Sequence, residues 1–190
     1  MKLLGCDPGS TTGLVLVELP PGTWDLLRGR IVHTAALSAS DDDRRTLERY
    51  RAEVKRCLPH VAILEDPADA ATYWGQARRG KPVQRGSAYR LGVYKGLLYA
   101  ALADTVATIV EYRVKGSKAD PGWMTDHANR DLVLQRMQAL SLQLKGPTLN
   151  EHQCMALGVL AHHCSRMQLS RFTAQLATRP ATPPPRGQPA

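Results

Sequence analysis

Lys2-Leu-Leu-Gly-Cys-Asp7-Pro-Gly-Ser-Thr-Thr-Gly13 is the stretch from which the fold can be read. An apolar run enters and a single carboxylate ends it. A turn rich in Gly, Ser and Thr then leads into a second apolar run, Leu14-Val-Leu-Val17. Residues 2–7 and 13–19 thus predict two strands joined by a tight turn. Asp7 falls at the mouth of a buried sheet, where a charge costs desolvation energy unless something positive pairs with it.

Working outward, Pro20-Pro21-Gly22 marks a second turn, and Trp24 to Thr34 reads as a third strand. Short connections make the three an antiparallel meander. Ser40-Asp-Asp-Asp43 has the composition of a helix start, and Leu47, Tyr50, Val54 and Leu58 follow at helical spacing until Pro59. Val61-Ala-Ile-Leu-Glu65 is a compact strand that again ends in a carboxylate. A right-handed crossover lays it parallel to strand 2–7. Parallel neighbours end at the same edge, so Asp7 and Glu65 are expected side by side where open α/β sheets place their sites. Two like charges so close repel, and a hard divalent ion such as Mg²⁺ resolves the conflict. A plainer reading has Asp7 cap its own turn and Glu65 pair with an arginine. It suits either acid alone, whereas two acids at matching strand ends favour the metal.

The segment 66–85 is a polar loop carrying Tyr73-Trp74 and then Arg78, Arg79, Lys81 and Arg85. Ser87 to Ala103 predicts a helix with Leu91, Tyr94, Leu98 and Ala101 on one side and small residues at Gly92 and Gly96. Thr105 to Val114 predicts a strand, Lys115 to Asp126 a basic loop, and Asn129 to Leu144 a helix. Pro147 interrupts, and Asn150 caps a last helix running to about Met167. That helix opens with Glu151 and His152. Singly, they read as a first-turn acid and a surface cap. Residues 1–168 form the expected single domain. Residues 169–190, rich in proline and arginine and lacking any acid, are expected to be a disordered basic tail.

The net charge of +8 is concentrated. Between Gly75 and Lys118 there are nine basic residues against Asp104 and Glu111. Such focusing points to a polyanion, with nucleic acid the first choice, against the alternative of a merely solvated basic face. An aromatic pair beside Arg78, Arg79 and Lys81 suits stacking on a splayed base, against ordinary loop packing. No window approaches a membrane span and the amino terminus lacks a signal-peptide pattern, so a cytoplasmic protein is expected. The four cysteines, Cys6, Cys57, Cys154 and Cys164, form no CxxC pair. Reduced, mostly buried thiols are expected, with neither a disulfide nor a zinc site.

The order of elements, with acids on the first and fourth strands and the final helix, resembles the RNase H fold and, more narrowly, RuvC-type Holliday junction resolvases. The likeness rests on four segments in order. They are Leu4-Gly-Cys-Asp7-Pro-Gly-Ser-Thr-Thr-Gly13, Ile63-Leu-Glu65, the helix from Ser87 to Ala101, and Lys115-Gly-Ser-Lys118 with the helix leading to Pro147. The resemblance implies a five-stranded mixed sheet flanked by helices, its first three strands antiparallel and the rest parallel. It also implies a homodimeric, metal-dependent endodeoxyribonuclease that cleaves four-way DNA junctions. Two Mg²⁺ ions (Mn²⁺ is the alternative) would be held by Asp7, Glu65 and the last helix, and Lys115 and Lys118 would hold phosphates. In the family's last motif two ligands stand three residues apart before Ala-Leu. Here the frame reads His152-Gln-Cys-Met155-Ala-Leu157, so a thioether, a poor Mg²⁺ ligand, takes the second position. Glu151 lies one residue outside the frame. Two rivals follow: a branched-DNA-binding protein without chemistry, and a broader branched-DNA nuclease. The sugar-kinase and actin superfamily shares the Asp-x-Gly-Ser/Thr-Thr turn but needs a second such lobe, for which this chain is too short.

Overall fold

The computed structural model describes residues 1–66, 85–113 and 130–177. Five strands form one sheet: β1 (Lys2–Asp7), β2 (Thr11–Glu18), β3 (Arg30–Ser38), β4 (Val61–Asp66) and β5 (Thr108–Arg113), in the order β3-β2-β1-β4-β5. β1 pairs antiparallel with β2, and β2 with β3; β4 runs parallel to both β1 and β5. The mixed sheet expected from the sequence is present. Around it stand α1 (Asp43–Cys57), α2 (Arg85–Ala103), α3 (Arg130–Gln143) and α4 (Glu151–Ala177).

Strand alternation divides the core. Leu3, Val15, Val17 and Ile63 face one way and pack with Leu144, Leu157 and Leu160 near and along α4. Leu4, Cys6, Leu14, Leu16, Ala62 and Leu64 face the other way, against Tyr50 and Val54 of α1 and Leu98 and Leu102 of α2. β1 and β4 are central and covered on both faces, which is why they read as unbroken apolar runs.

Several boundaries differ from the expectation. The stretch from Trp24 is not strand: Asp25 caps a 3-10 turn at Leu26–Arg28 by accepting from the Leu27 amide, and the third strand starts at Arg30 and runs to Ser38. Leu58 lies outside α1, in the left-handed region that closes it (φ 44°). The last helix continues ten residues past Met167 to Ala177, so part of the expected tail is helical. Residues 178–190 lie outside the described part. The four cysteines are free and buried. Among the described residues, no helix is long and apolar enough to cross a membrane.

A histidine pocket makes the fold pH-sensitive. His163 of α4 is buried, its Nδ1 2.9 Å from the Tyr112 hydroxyl and its ring edge-on to Trp24. Burial, with help from neighbouring His162, lowers its pKa below the usual 6.5. The unfolded chain then binds more protons than the folded one below that value, so stability declines as pH falls through and below about 6.5. Replacing His163 with Gln is expected to flatten the dependence of melting temperature on pH between about 7.5 and 5. An unchanged slope would place the sensitivity elsewhere.

Candidate active site

Asp7 ends β1 and Glu65 lies on β4. The parallel register pairs Cys6 with Leu64, so Asp7 and Glu65 occupy the next step on neighbouring strands. Cys6 and Leu64 point into the α1–α2 face, and the residue after each points to the other face, toward α4. Both acids are withdrawn from water, with the Asp7 side chain 13% exposed and Glu65 7% exposed.

The wall opposite is the first turn of α4. Asn150 Oδ1 accepts from the Gln153 amide (3.0 Å), and Gln153 Oε1 accepts from the Asn150 amide (2.9 Å). This reciprocal cap fixes where the helix begins. His152, at its second residue, then puts Nδ1 3.1 Å from Asp7 Oδ2. Two glycines allow the approach. Gly13 lies directly opposite Asp7 on β2, and a Cβ there would run into the backbone carbonyl of His152. A Cβ on Gly5 would meet the carbonyl of Ala156, one turn further along. α4 therefore rests on bare strand backbone, which the sequence reading did not detect. The turn after Asp7 is anchored from the other face, where the buried hydroxyls of Thr12 and Tyr50 lie 2.6 Å apart.

The remaining expected residues divide. Glu151 opens α4 on its exposed side. Met155 is buried and packs against Val133 and Leu134 of α3, so its thioether serves as core rather than as a ligand. Tyr73, Trp74, Arg78, Arg79, Lys81, Lys115 and Lys118 lie outside the described residues; Arg85 opens α2. Two members of the basic cluster have acidic partners. Lys95 Nζ bridges Asp66 (2.7 Å) and Glu111 (2.5 Å), and Arg90 reaches Asp43 at 3.5 Å. Burial pulls the Lys95 pKa down, but its two carboxylate partners outweigh that and hold it above the ordinary lysine value. Lys95 thus serves as an internal tie between α2, β4 and β5.

The donor set of two carboxylates and an imidazole fits a divalent ion. Adjacent ligands of an octahedral ion with bonds of 2.0–2.1 Å stand about 3 Å apart, close to the observed separation of Asp7 Oδ2 from His152 Nδ1. Among the described residues, the group of three donors that all lie within 4.8 Å of one another is a different one, His33, Glu53 and Cys57. Asp7, Glu65 and His152 form a more open set.

No protein-family model matches this sequence, and no curated protein does. Solved structures do. RuvC of Thermus thermophilus matches at TM-score 0.59 with 21% identity, over 88% of this chain and 97% of that one. T. thermophilus RuvC in complex with Holliday junction substrate matches at 0.58 with 21% identity, over 94% and 97%. The fowlpox virus resolvase, in a structure with its substrate Holliday junction DNA, matches at 0.50 with 11% identity, over 88% and 99%. The chain thus has the RNase H-like α/β fold of RuvC over most of its length.

Proposed function

We propose that this protein is a metal-dependent endodeoxyribonuclease that cleaves four-way DNA junctions. The observation that carries the reading is that Asp7 lies 3.1 Å from His152 and at the same register step as Glu65 on the neighbouring strand, in a fold shared with RuvC. Divalent ions bound there would lower the pKa of an attacking water and neutralise charge on the scissile phosphate. Asp7 would be the shared ligand, with Glu65 on the neighbouring strand and His152 on α4 completing the set. His152 would bind a metal or orient the water through Nδ1. Glu151 is the reserve ligand on the same turn. Phosphate contacts fall to Lys115 and Lys118, and base stacking to Tyr73 and Trp74, flanked by Arg78, Arg79, Lys81 and Arg85.

A junction has two equivalent cleavage points, and a two-fold dimer presents two sites. α2 supports dimerisation: among the described residues nothing lies within 4 Å of a Cβ added at Gly92 or Gly96, and exposed Tyr89 and Tyr99 lie on the same stripe. The four free thiols suit a reducing compartment, consistent with the cytoplasm.

A synthetic four-way junction with Mg²⁺ tests the reading against a linear duplex of the same sequence. Cleavage confined to the junction is expected; binding without cleavage of either would leave a branched-DNA-binding protein instead. Buried Met155, in the place of a ligand, is the observation that favours this second reading. Met155→Leu tests the place of the thioether within the nuclease reading. Because Met155 packs as core, the nuclease reading expects junction cleavage near the wild-type rate and a stability change below about 1.5 kcal/mol. Loss of cleavage with an intact melting transition would mean the thioether acts in the site.

A further inference from the structure

On the sheet face away from Asp7, three side chains from two elements converge. His33 lies on the outer strand β3, opposite Leu16 of β2. Glu53 and Cys57 lie on α1, four residues apart and so on one face of the helix. One donor atom from each comes within 4.8 Å of the other two. His33 Nε2 touches Glu53 Oε1, and Arg56 approaches the other oxygen of Glu53 at 3.7 Å. Glu53 and Cys57 are buried, while the His33 side chain remains 27% exposed.

We propose that His33, Glu53 and Cys57 form a transition-metal site of the zinc class, which staples β3 to α1 and is separate from the Asp7 centre. The donors are one nitrogen, one oxygen and one sulfur. A thiolate in the set selects Zn²⁺ or Co²⁺ over Mg²⁺. Tetrahedral bonds of 2.0–2.3 Å place donors about 3.3–3.7 Å apart, so an ion would enter by parting the touching His33 and Glu53 and drawing Cys57 in, within the 4.8 Å that bounds the three. The partly exposed His33 edge leaves the fourth position open to water. A His33–Glu53 pair buttressed by Arg56 explains two of the residues but gives no role to the thiol beside them. A metal ion bound there would displace the proton of the Cys57 thiol. The scattered cysteines gave no hint of this site, because its ligands become neighbours only when α1 packs on the sheet.

Cobalt titration of the reduced, chelator-stripped full chain tests it. One equivalent of Co²⁺ is expected to produce a thiolate-to-cobalt charge-transfer band that Zn²⁺ abolishes. Cys57→Ser and His33→Gln should each remove the band, and His33→Gln decides if the serine variant does not fold. Asp7→Asn should retain it, which separates this site from the nuclease centre. No thiolate band in the wild type, a band surviving both substitutions, or its loss in Asp7→Asn would overturn the proposal.

Discussion

Asp7→Asn is expected to abolish junction cleavage while leaving junction binding within a few-fold of wild type. The substitution keeps the shape of the side chain and its place beside Gly13 and His152, but removes the charge that would hold a divalent ion. Charge stabilisation by such an ion is worth several kcal/mol in the transition state, so the rate should drop by about three orders of magnitude or more. DNA affinity, by contrast, comes mainly from lysine and arginine at phosphates. Gel-shift and cleavage assays on one junction, run in parallel, separate the two. Equal loss of both would mean that Asp7 supports the fold rather than the chemistry.

Gly13→Ala is the second large effect, and it acts without touching a charged group. The added methyl would occupy the space of the His152 backbone carbonyl, so either α4 lifts or the end of β2 moves. Overpacking of this kind costs about 1–3 kcal/mol. For a chain of this size each kcal/mol lowers the melting temperature by about 2–4 °C. Because α4 carries His152, a shift of about 1 Å would also misplace it relative to Asp7, and misplacements of that size cost about 10²-fold in rate. Calorimetry and cleavage should therefore fall together. A variant with normal stability and normal cleavage would show that α4 does not depend on the bare backbone at Gly13.

The sheet and its two acids were legible in the sequence because both depend on local signals. Alternation within Lys2–Asp7 and Val61–Asp66, and the fixed hand of a crossover, were enough to place Asp7 beside Glu65. Asn150 was legible as a cap for the same reason. Trp24–Arg28 misled, since its apolar residues match a strand although Asp25 turns the chain first. The end of α4 misled because a polar, acid-free segment looks disordered until its first half is anchored on the sheet. The roles of Gly5 and Gly13 were hidden, since nothing in the sequence says which helix will lie on them. The pairing of Lys95 and Arg90 was hidden in the same way, and the basic cluster is correspondingly less free than its composition suggests. His33, Glu53 and Cys57 are invisible as a group for a like reason: His33 stands on β3, twenty residues before Glu53 on α1.

The proposed nuclease depends on Asp7, Glu65 and His152 together holding a divalent ion. Crystals of the protein soaked in Mn²⁺ and measured at the manganese absorption edge test it directly. An anomalous peak is expected within bonding distance of Asp7, shared with Glu65, His152 or both. A peak held by other residues, with Asp7 and Glu65 bare, would contradict it.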